Sequence, residues 1–552
     1  MKTYILIIIF LLNLFNGLSA HPKHEIRAVW ITSLYNLDWP QTKATNARNA
    51  EKQRQELCKI LDQLQEAQFN TVLFQTRLRG DVIYPSRYES FNECLTGTYG
   101  KNPGYDPLKF AIDECHKRGM ELHAWIVAIP AGNLSLSRKY GNKTLARKHP
   151  ELCKLYRRSW YLDPGNPDTK EYLAMITHEI VSRYDVDGIH LDYIRYPESA
   201  RHFPDQAHYR KYGKGKELRQ WRTENITGIV RRIYNEVKSV KPWIKVSSSP
   251  VGKYNDTAKY SAKGWNARNA VFQDAQLWMK EGIHDMLFPM MYFKDNNFFP
   301  FALDWNENKN ERWVVPGLGI YFMDPKEGNW QLEDVMKQIY FIRQNGLDGQ
   351  AYFRNKFLLN DTRGLFTEIK DKIYQYPAMI PPMKWMDSIP PAVPEKPLFE
   401  KREISIRLQW GLPTDTTTVC YRIYASGHYP VDISRAENIV STHCTDNNFT
   451  YSKNDLIDGK KFWAVTAVDR FGNESGRLDL NKPLREWLNI YDNTFPKIGQ
   501  NETLIIRSIT GREIIKLAAE ETDRLDELEK GFYRVQVIDN RGNHKELGTL
   551  VK

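Results

Sequence analysis

One acidic residue within an apolar segment is the first candidate for chemistry. The segment reads GIHLDYIRYP (188–197), and the alternation of a strand places His190 and Asp192 on the same face. A carboxyl group among apolar neighbours costs free energy unless it is paired or used in a reaction. We therefore predict that Asp192 is a catalytic carboxyl group, with a structural aspartate bonded to loop amides as the alternative. His190 lies one layer deeper and is expected to bind substrate indirectly, by supporting Asp192 through a hydrogen bond.

A second set of polar residues follows the segment TVLFQTR (71–77). Arg77 and Arg79 share one parity of this strand-like run, and Asp81 follows in the loop. Guanidinium groups bind carboxylates through paired hydrogen bonds. We interpret the two arginines as substrate-binding residues and Asp81 as a candidate second carboxyl group. A salt bridge within the loop would account for the same residues.

Further candidates stand near the ends of other segments. The phenol of Tyr292 would donate to a substrate oxygen, although a tyrosine there could equally pack in the core. Asp274 precedes a helix and either faces the same site or merely begins that helix. Flat aromatic rings near strand ends suit stacking on sugars. The remaining substrate-binding candidates are Trp125, Tyr193, Arg195 and Tyr321.

The motifs of several enzyme classes are missing from the sequence. It has no serine nucleophile elbow, HExxH, Walker A or GxGxxG motif, which leaves carboxylate chemistry. Glycoside hydrolysis needs two carboxyl groups around an acetal, one acid and one base or nucleophile. Asp192 would be acid or nucleophile, and Asp81 or Asp274 the second group. Retaining and inverting mechanisms both stay open. No Cys/His cluster has metal-ligand spacing, so neither metal nor cofactor is expected.

Eight strand-like runs alternate with amphipathic helical stretches and must position these residues. Near-continuous apolar strands between helices predict a parallel sheet covered by helices, and eight units predict an α/β fold of the (β/α)8 TIM barrel type, whose active sites lie at the strand carboxyl ends. A doubly wound open sheet is the alternative, but no glycine-rich phosphate fingerprint follows the first strand. The runs are 26–33, 71–77, 121–130, 188–197, 245–250, 285–293, 313–322 and 349–355.

Composition changes after the barrel. The Pro-rich stretch around 377–389 reads as a stiff linker, and short alternating strands follow it. A strand Trp410, then YRIYAS and AVTAVDRFGNES, resembles a fibronectin type III domain at 390–482. The tail at 483–552 is similar to small C-terminal β-sandwiches of secreted proteins. We therefore predict a signal peptide at 1–20, the barrel at 21–376, the linker and two small all-β domains.

The amino-terminal twenty residues predict export. They read MKTYILIIIFLLNLFNGLSA, with one lysine, a short apolar run and small residues before a cleavage point. A signal anchor is the alternative. No later run is long enough to span a membrane, so we expect a periplasmic or extracellular protein.

Six cysteines lie after the predicted cleavage point. Cys420 and Cys444 lie in one small region and could form a disulfide, while the pairing of the others stays open.

The charge balance favours an anionic partner. Hydrophobic residues make up 41%, aromatic residues 12% and charged residues 26%, which excludes a disordered or polytopic membrane protein. The formal net charge is +11. No basic arm, zinc module or recognition fold for nucleic acid is present, so we expect a polysaccharide partner and no nucleic acid. The oligomeric state stays open.

The barrel also resembles a known family. The segments EIRAVWIT, QTRLRGDVIYPS, NPGYDPLKFAIDECHKRGMELHAW, YLDPGNPDTKEYL, RYDVDGIHLDYIRYP and QDAQLWMKEGIHDMLFPMMY are similar, in order, to glycosyl hydrolase-like family 10. The resemblance covers about 26–360. It implies a peptidoglycan glycosidase with Asp192 as leading catalytic carboxylate and Arg77, Asp81, Asp274 and Tyr292 as partners.

The chain departs from the family pattern at two places. Many relatives read DDY where this chain has Asp192-Tyr193, and PQxY where it has Pro289 to Tyr292. The strand also looks like the DGxDxDxE segment of family 18 chitinases, but Ile194 stands where the catalytic glutamate would be, so that mechanism is not supported.

Our hypothesis is an exported glycosidase that cleaves a bacterial cell-wall glycan or a related amino-sugar or acidic polysaccharide. A glycosidase acting on an α-glucan or host glycan is one alternative. A non-catalytic carbohydrate-binding protein on a degenerate barrel is another.

Overall fold

The computed structural model describes residues 21–402, 405–452, 459–482, 487–489, 501–518, 521, 524–525 and 527–551. The predicted signal peptide at 1–20 lies outside the described residues.

Eight parallel strands form a closed barrel, which confirms the predicted fold class and excludes the open sheet. Each strand pairs with the next, and the last pairs with the first, Ile26 opposite Gly349. The barrel strands are β1 (Ile26–Ile31), β2 (Thr71–Arg77), β3 (Glu121–Val127), β4 (Gly188–Asp192), β5 (Lys245–Ser248), β6 (Met286–Leu287), β7 (Trp313–Val314 and Gly317–Leu318) and β8 (Gly349–Tyr352).

One helix follows each strand and covers the outside of the barrel. Short polar caps begin several of them: Asn46 accepts a hydrogen bond from the Asn49 amide, and Asp106 accepts one from Lys109. Proline stands in the first turn of two helices, at Pro107 and Pro167, where its missing N–H costs nothing. The helices are α1 (Ala47–Glu66), α2 (Pro107–Lys117), α3 (Pro167–Arg183), α4 (Leu218–Val240), α5 (Ala275–Lys280), α6 (Phe299–Glu307), α7 (Leu332–Gln344) and α8 (Leu365–Glu368, continued by the π-helical turn Ile369–Ile373).

Shorter helical segments lie in the connections between strands and helices. They are Leu34–Asn36, Leu134–Tyr140, Gly141–Lys143, Leu145–Lys148, Ala200–His202, Gln206–Tyr212, Ala267–Ala270, Asp295–Asn297, Ile320–Met323, Asn355–Leu359 and Thr362–Gly364.

A small antiparallel sheet rises from the connection after β3. Its strands are Pro130–Asn133, Cys153–Tyr156 and Ser159–Leu162, and we call it the loop sheet. A two-residue turn, Arg157-Arg158, joins the last two strands, with φ of 47° and 65°. Such turns favour asparagine and glycine because both central residues need positive φ. The sequence pattern therefore gave no hairpin signal here, and the loop sheet was not predicted.

The Pro-rich segment 377–389 closes the base of the barrel and is not a spacer. Met383 is fully buried in the core inside the barrel. The Trp385 ring lies 4.7 Å from that of Trp313, and its indole donates to Asp285 at 3.0 Å. Met379 exchanges backbone hydrogen bonds with Lys23 and Glu25. The expected stiff linker is thus part of the barrel structure.

The residues after this segment form all-β structure, as predicted. Among the described residues of 390–482, seven strands make two facing antiparallel sheets around a core that includes Trp410 and Trp463, and we call this domain the sandwich. One sheet holds Glu395–Lys401, Ser405–Gly411 and Asn448–Ser452; the other holds Ile439–Cys444, Thr418–Ser426, Phe462–Asp469 and Leu478–Asp479, with the short helix Ala436–Asn438 before Ile439.

The tail forms a separate sheet. Its described residues give one five-stranded sheet, whereas two packed sheets were expected. The strands, in spatial order, are Trp487–Asn489, His544–Val551, Phe532–Ile538, Thr503–Ser508 and Glu513–Ala518.

All six cysteines lie among the described residues, and all are free thiols. Cys420 and Cys444, the pair that could have formed a disulfide, stand on adjacent strands without a bond between them. Among the described helices, none is both long and apolar enough to cross a bilayer.

Candidate active site at the barrel mouth

The carboxyl ends of the strands surround a cavity of about 520 Å³, which we call the mouth cavity. Side chains from or just after β1 to β6 and β8 line it, and the loop sheet forms one wall. Its aromatic lining comprises Trp30, Trp125, Tyr156, Trp160, Tyr161, Tyr193, Tyr196, Tyr292 and Phe353. Flat rings around a polar floor suit the binding of sugars, which present one apolar face and a rim of hydroxyl groups.

Asp192 lies on the floor of the mouth cavity at the end of β4. Its side chain accepts three hydrogen bonds: from the Trp125 indole at 3.1 Å, from the Ser249 hydroxyl at 2.9 Å and from the Tyr193 amide at 2.8 Å. The residue is 6% exposed. Neighbouring strands thus hold the carboxyl group in one orientation, with its surface turned to the cavity.

Burial decides the protonation of Asp192. Desolvation raises the pKa of this carboxyl group above its ordinary value, and it outweighs the Ser249 and Tyr193 hydrogen bonds, which act in the opposite direction. A carboxyl group that keeps its proton to higher pH is suited to general acid catalysis.

His190 lies below Asp192 in the barrel, as expected from the strand alternation, but it does not bond to it. Its Nδ1 is 3.0 Å from the Ser247 hydroxyl, and its Nε2 accepts the Trp30 indole N–H at 3.2 Å. Burial lowers the pKa of His190 well below its ordinary value, so the ring is neutral. The predicted support of Asp192 by a direct hydrogen bond is therefore wrong. His190 instead joins Trp30 and Ser247 in the layer of side chains below Asp192.

Arg77 lies outside the mouth cavity, in contrast to its predicted substrate-binding role. Its guanidinium makes a fully buried pair with Glu89, at 2.7 Å, and donates to the carbonyls of Val127 and Ala128. Tyr172 also donates to Glu89, at 3.0 Å. With these partners, Arg77 ties the loop after β2 to the end of β3.

Asp81 lies in a neighbouring side cavity of about 220 Å³, apart from Asp192. It accepts hydrogen bonds from the Arg79 amide at 3.2 Å and the Asn92 side chain at 2.8 Å. Burial raises its pKa to about 6. Leu34, Arg79 and Gly132 line both cavities, whereas Asp81 lines only the side cavity.

Asp274 also lies away from the mouth cavity. It stands at the start of α5, where it accepts a hydrogen bond from the Tyr254 hydroxyl at 2.5 Å and lies 3.9 Å from Arg268. The structure thus does not bring Asp81 or Asp274 together with Asp192 in one cavity.

Tyr292 lines the mouth cavity, whereas Tyr321 supports it from behind. The Tyr292 ring stacks on Phe353 at 5.5 Å, and the Tyr321 ring meets it edge-on at 5.8 Å. Burial, followed by the charge of Asp192, raises the pKa of Tyr292 far above its ordinary value. The phenol is therefore a neutral hydrogen-bond donor near Asp192.

Tyr193 and Arg195 both line the cavity, and their substrate-binding role stays a prediction. Tyr193 takes a positive φ of 49° and leaves its ring 41% exposed. The Arg195 guanidinium lies over that ring at 4.7 Å, and it is 3.6 Å from Glu198.

Several residues of the site were not predicted. Glu198 is, besides Asp192, the other carboxyl group among the lining residues, and Arg157 and Ser249 line the cavity as well. Ser249 is the last residue of the polar run SSS, whose first two serines belong to β5, and this run at a strand end could have indicated a site residue. Glu198 follows a proline in an irregular loop, and Arg157 stands in the unpredicted loop sheet, so neither had a periodic pattern to place it.

Within the described parts of the chain, no group of three His, Cys, Asp or Glu side chains has the geometry of a metal site.

Comparison with known proteins adds an independent line of observation. A family model described as Glycosyl hydrolase-like 10 matches residues 25–322. Glycosyl hydrolase YngK of Bacillus subtilis (strain 168) is 32% identical over 482 residues, which cover 83% of this chain and 93% of that protein. Glycosyl hydrolase DigH of Escherichia coli (strain K12) is 33% identical over 298 residues, 50% of this chain and 67% of that protein.

Among solved structures, the glycoside hydrolase domain of PgaB from Bordetella bronchiseptica is similar with a TM-score of 0.43 and 13% identity. The matched region covers 64% of this chain and 99% of that domain.

Proposed function

The chain belongs to the glycosyl hydrolase-like 10 family and is a glycosidase, and from this premise we propose that it cleaves a bacterial cell-wall glycan of the peptidoglycan type at the mouth cavity. The observation that carries the proposal is the buried carboxyl group of Asp192, oriented by three hydrogen bonds on the floor of a cavity lined by aromatic rings.

In the proposed reaction, Asp192 is the general acid. Burial raises its pKa and so favours the protonated form, and departure of the leaving sugar needs a proton on the glycosidic oxygen. Once the proton has left, the Ser249, Trp125 and Tyr193 hydrogen bonds stabilise the carboxylate. Tyr292 would donate a hydrogen bond to an oxygen of the reacting sugar.

Glu198 is the proposed second carboxyl group, in place of Asp81 and Asp274. It lines the mouth cavity, and its side chain is 64% exposed, which leaves it in contact with water. A carboxylate in contact with water is placed to take a proton from an attacking water molecule. This assignment makes the enzyme inverting, and the anomer first released, read by NMR, tests it.

Arginine residues at the mouth support an acidic glycan as substrate. Arg79, Arg157 and Arg195 line the cavity, and the formal net charge of +11 also favours an anionic substrate.

We further propose that residues 1–20 are a signal peptide and that the protein is exported. We also propose that 390–482 form a fibronectin type III domain, and the seven-stranded, two-sheet arrangement of its described residues supports this.

The test compares Asp192→Asn with the wild type on peptide-free glycan strands, with release of reducing ends as the readout. We expect the variant to lose about 10²–10⁴-fold in kcat because it cannot donate the proton, while glycan binding in a pull-down is retained. Glu198→Gln should lose activity as well.

Asp274→Asn is the matched control, since the same change of acid to amide is made outside the mouth cavity and the Tyr254 contact is preserved. It should keep wild-type activity. Full activity of Asp192→Asn would show that the site is assigned wrongly.

A further inference from the structure

We propose that Arg195, together with Arg157 and Arg79, recognises a carboxylate substituent on the glycan and so determines which glycans are cleaved. The proposal rests on the proposed function and deepens it, because it names the chemical group that the cavity selects.

Arg195 is a buried cation with few partners. The residue is 5% exposed, its Nε is shielded from solvent, and that atom has no hydrogen-bond partner among the described residues. Glu198 lies 3.6 Å away, which is too long for a hydrogen bond, and the Arg195 charge also acts on Asp192, whose pKa it lowers against the effect of burial. A buried guanidinium with unfilled hydrogen-bonding capacity costs free energy, and an anionic ligand would offset that cost.

Two aromatic rings lie beside this guanidinium. It lies 4.7 Å from the centre of the Tyr193 ring and 5.9 Å from that of Trp265. Both rings are partly exposed, at 41% and 37%. Cation–π contacts do not consume the N–H donors of the guanidinium, which are then free to form paired hydrogen bonds with a ligand.

Arg157 approaches the same cavity from the tip of the loop sheet. It takes a φ of 47°, a conformation that costs a non-glycine residue about 1–2 kcal/mol. Glycine or asparagine would be easier to accommodate in this turn. An unfavourable backbone that carries a cation over a cavity indicates a role for the side chain.

A carboxylate is the group that this arrangement fits best. It is planar, charged and able to accept two parallel hydrogen bonds from one guanidinium, and a sugar hydroxyl lacks these properties. Arg79 also lines the cavity, which thus has three arginines in its lining. Two kinds of sugar supply such a group: amino sugars with a lactyl ether, and uronic acids.

The experiment measures binding and cleavage separately. Quenching of tryptophan fluorescence gives Kd for three oligosaccharides of equal length: one with lactyl carboxylates, the same compound with those carboxylates converted to amides, and a uronic acid oligosaccharide. We expect the wild type to bind the lactyl carboxylate form about 10- to 100-fold more tightly than its amide, in line with a hydrogen bond to a charged group. Equal binding of the uronic acid compound would assign recognition to the carboxylate alone, without the lactyl ether.

Arg195→Gln should bring the ratio of the two Kd values close to one. Because Arg195 is buried, its replacement could disturb the fold, so a second variant changes the exposed Arg157. Arg157→Asn keeps the turn conformation and should lower the ratio of the two Kd values in part. Arg158→Asn is the matched control, since this neighbouring arginine does not line the cavity, and it should keep the full ratio.

The proposal is overturned if the wild type binds the carboxylate and amide forms equally, or if Arg195→Gln weakens both by the same factor. Absence of cleavage with the binding preference intact would instead contradict the proposed function.

Discussion

At the scale of single residues, the site depends on how a buried carboxyl group is held. The sequence pointed to Asp192 because an acid inside an apolar strand costs free energy; the structure places it on the lining of the mouth cavity, and its catalytic role stays a prediction. Its partners were not identifiable in the same way, since Trp125 and Ser249 stand on other strands and the barrel brings them together. Glu198 stands in a loop without periodicity, and only the folded chain places it beside the cavity.

The Ser249 hydrogen bond makes a testable contribution to the pH dependence of activity. It stabilises the charged form of Asp192 and so lowers the pKa of this carboxyl group against the effect of burial. Activity of a general acid is lost as the pH rises through its pKa. In Ser249→Ala the pKa of Asp192 should rise further, and the alkaline limb of kcat/KM against pH should move up by about 0.5–1 unit. A limb that moves to lower pH would contradict the assignment of Asp192 as acid.

Asp81 should affect stability, not catalysis. Its pKa is about 6 in the folded protein and about 3.9 in an unfolded chain, so the folded state binds a proton between these values. Wild-type stability therefore falls as the pH rises from about 4 to about 6. Relative to Asp81→Asn, the free energy of unfolding should fall by about 2–3 kcal/mol over this window. Urea unfolding of both proteins at pH 4 and pH 7 measures the difference; a constant difference would contradict the prediction.

At the scale of elements, the strands and helices of the barrel were predictable because their apolar periodicity is strong. All eight predicted strand runs contain a barrel strand. The loop sheet was missed, since its turn uses two arginines where the usual residues are asparagine and glycine. Arg77 was misjudged because its spacing from Asp81 suggested a mouth residue, whereas a partner twelve positions along the chain, Glu89, fixes it in the interior.

The turn of the loop sheet predicts a stabilising substitution. Arg158 has a φ of 65°, is exposed and does not line the mouth cavity. In Arg158→Gly the left-handed backbone is no longer strained, although a more flexible unfolded chain offsets part of the gain. We expect the free energy of unfolding to rise by about 0.5–1 kcal/mol. Arg158→Ala, which removes the same side chain but keeps Cβ, should show no such gain.

At the scale of the whole molecule, the segment between barrel and sandwich was read from composition alone as a connector. Its prolines do favour an extended backbone, but the residues between them, Met379, Met383 and Trp385, pack against the rest of the protein. The order of barrel and all-β domains was predictable, because each has its own periodicity. How they contact each other was not, since such contacts join residues hundreds of positions apart, as in the 2.7 Å ion pair of Lys23 with Glu474.

Trp385 tests whether this segment is part of the barrel. Its ring packs on Trp313, lies 4.7 Å from the Arg312 guanidinium and donates to Asp285. Trp385→Ala should lower the free energy of unfolding by about 2–3 kcal/mol, less than for a fully buried tryptophan because the residue is half-buried. Lys384→Ala, an exposed neighbour, is the control. Equal stability of the two variants would show that the segment is only a connector.

Closure of the barrel base also decides how the protein can be handled in the laboratory. The sandwich contacts the amino ends of the strands, for instance where Arg470 lies 3.8 Å from Asp185, whereas Asp192 lies at the carboxyl ends. A resin, sensor chip or fluorescent label attached to the sandwich would therefore face away from the open end. Protein immobilised in this way should still admit long polymers from solution, so that captured chains and released products can be followed on the same surface.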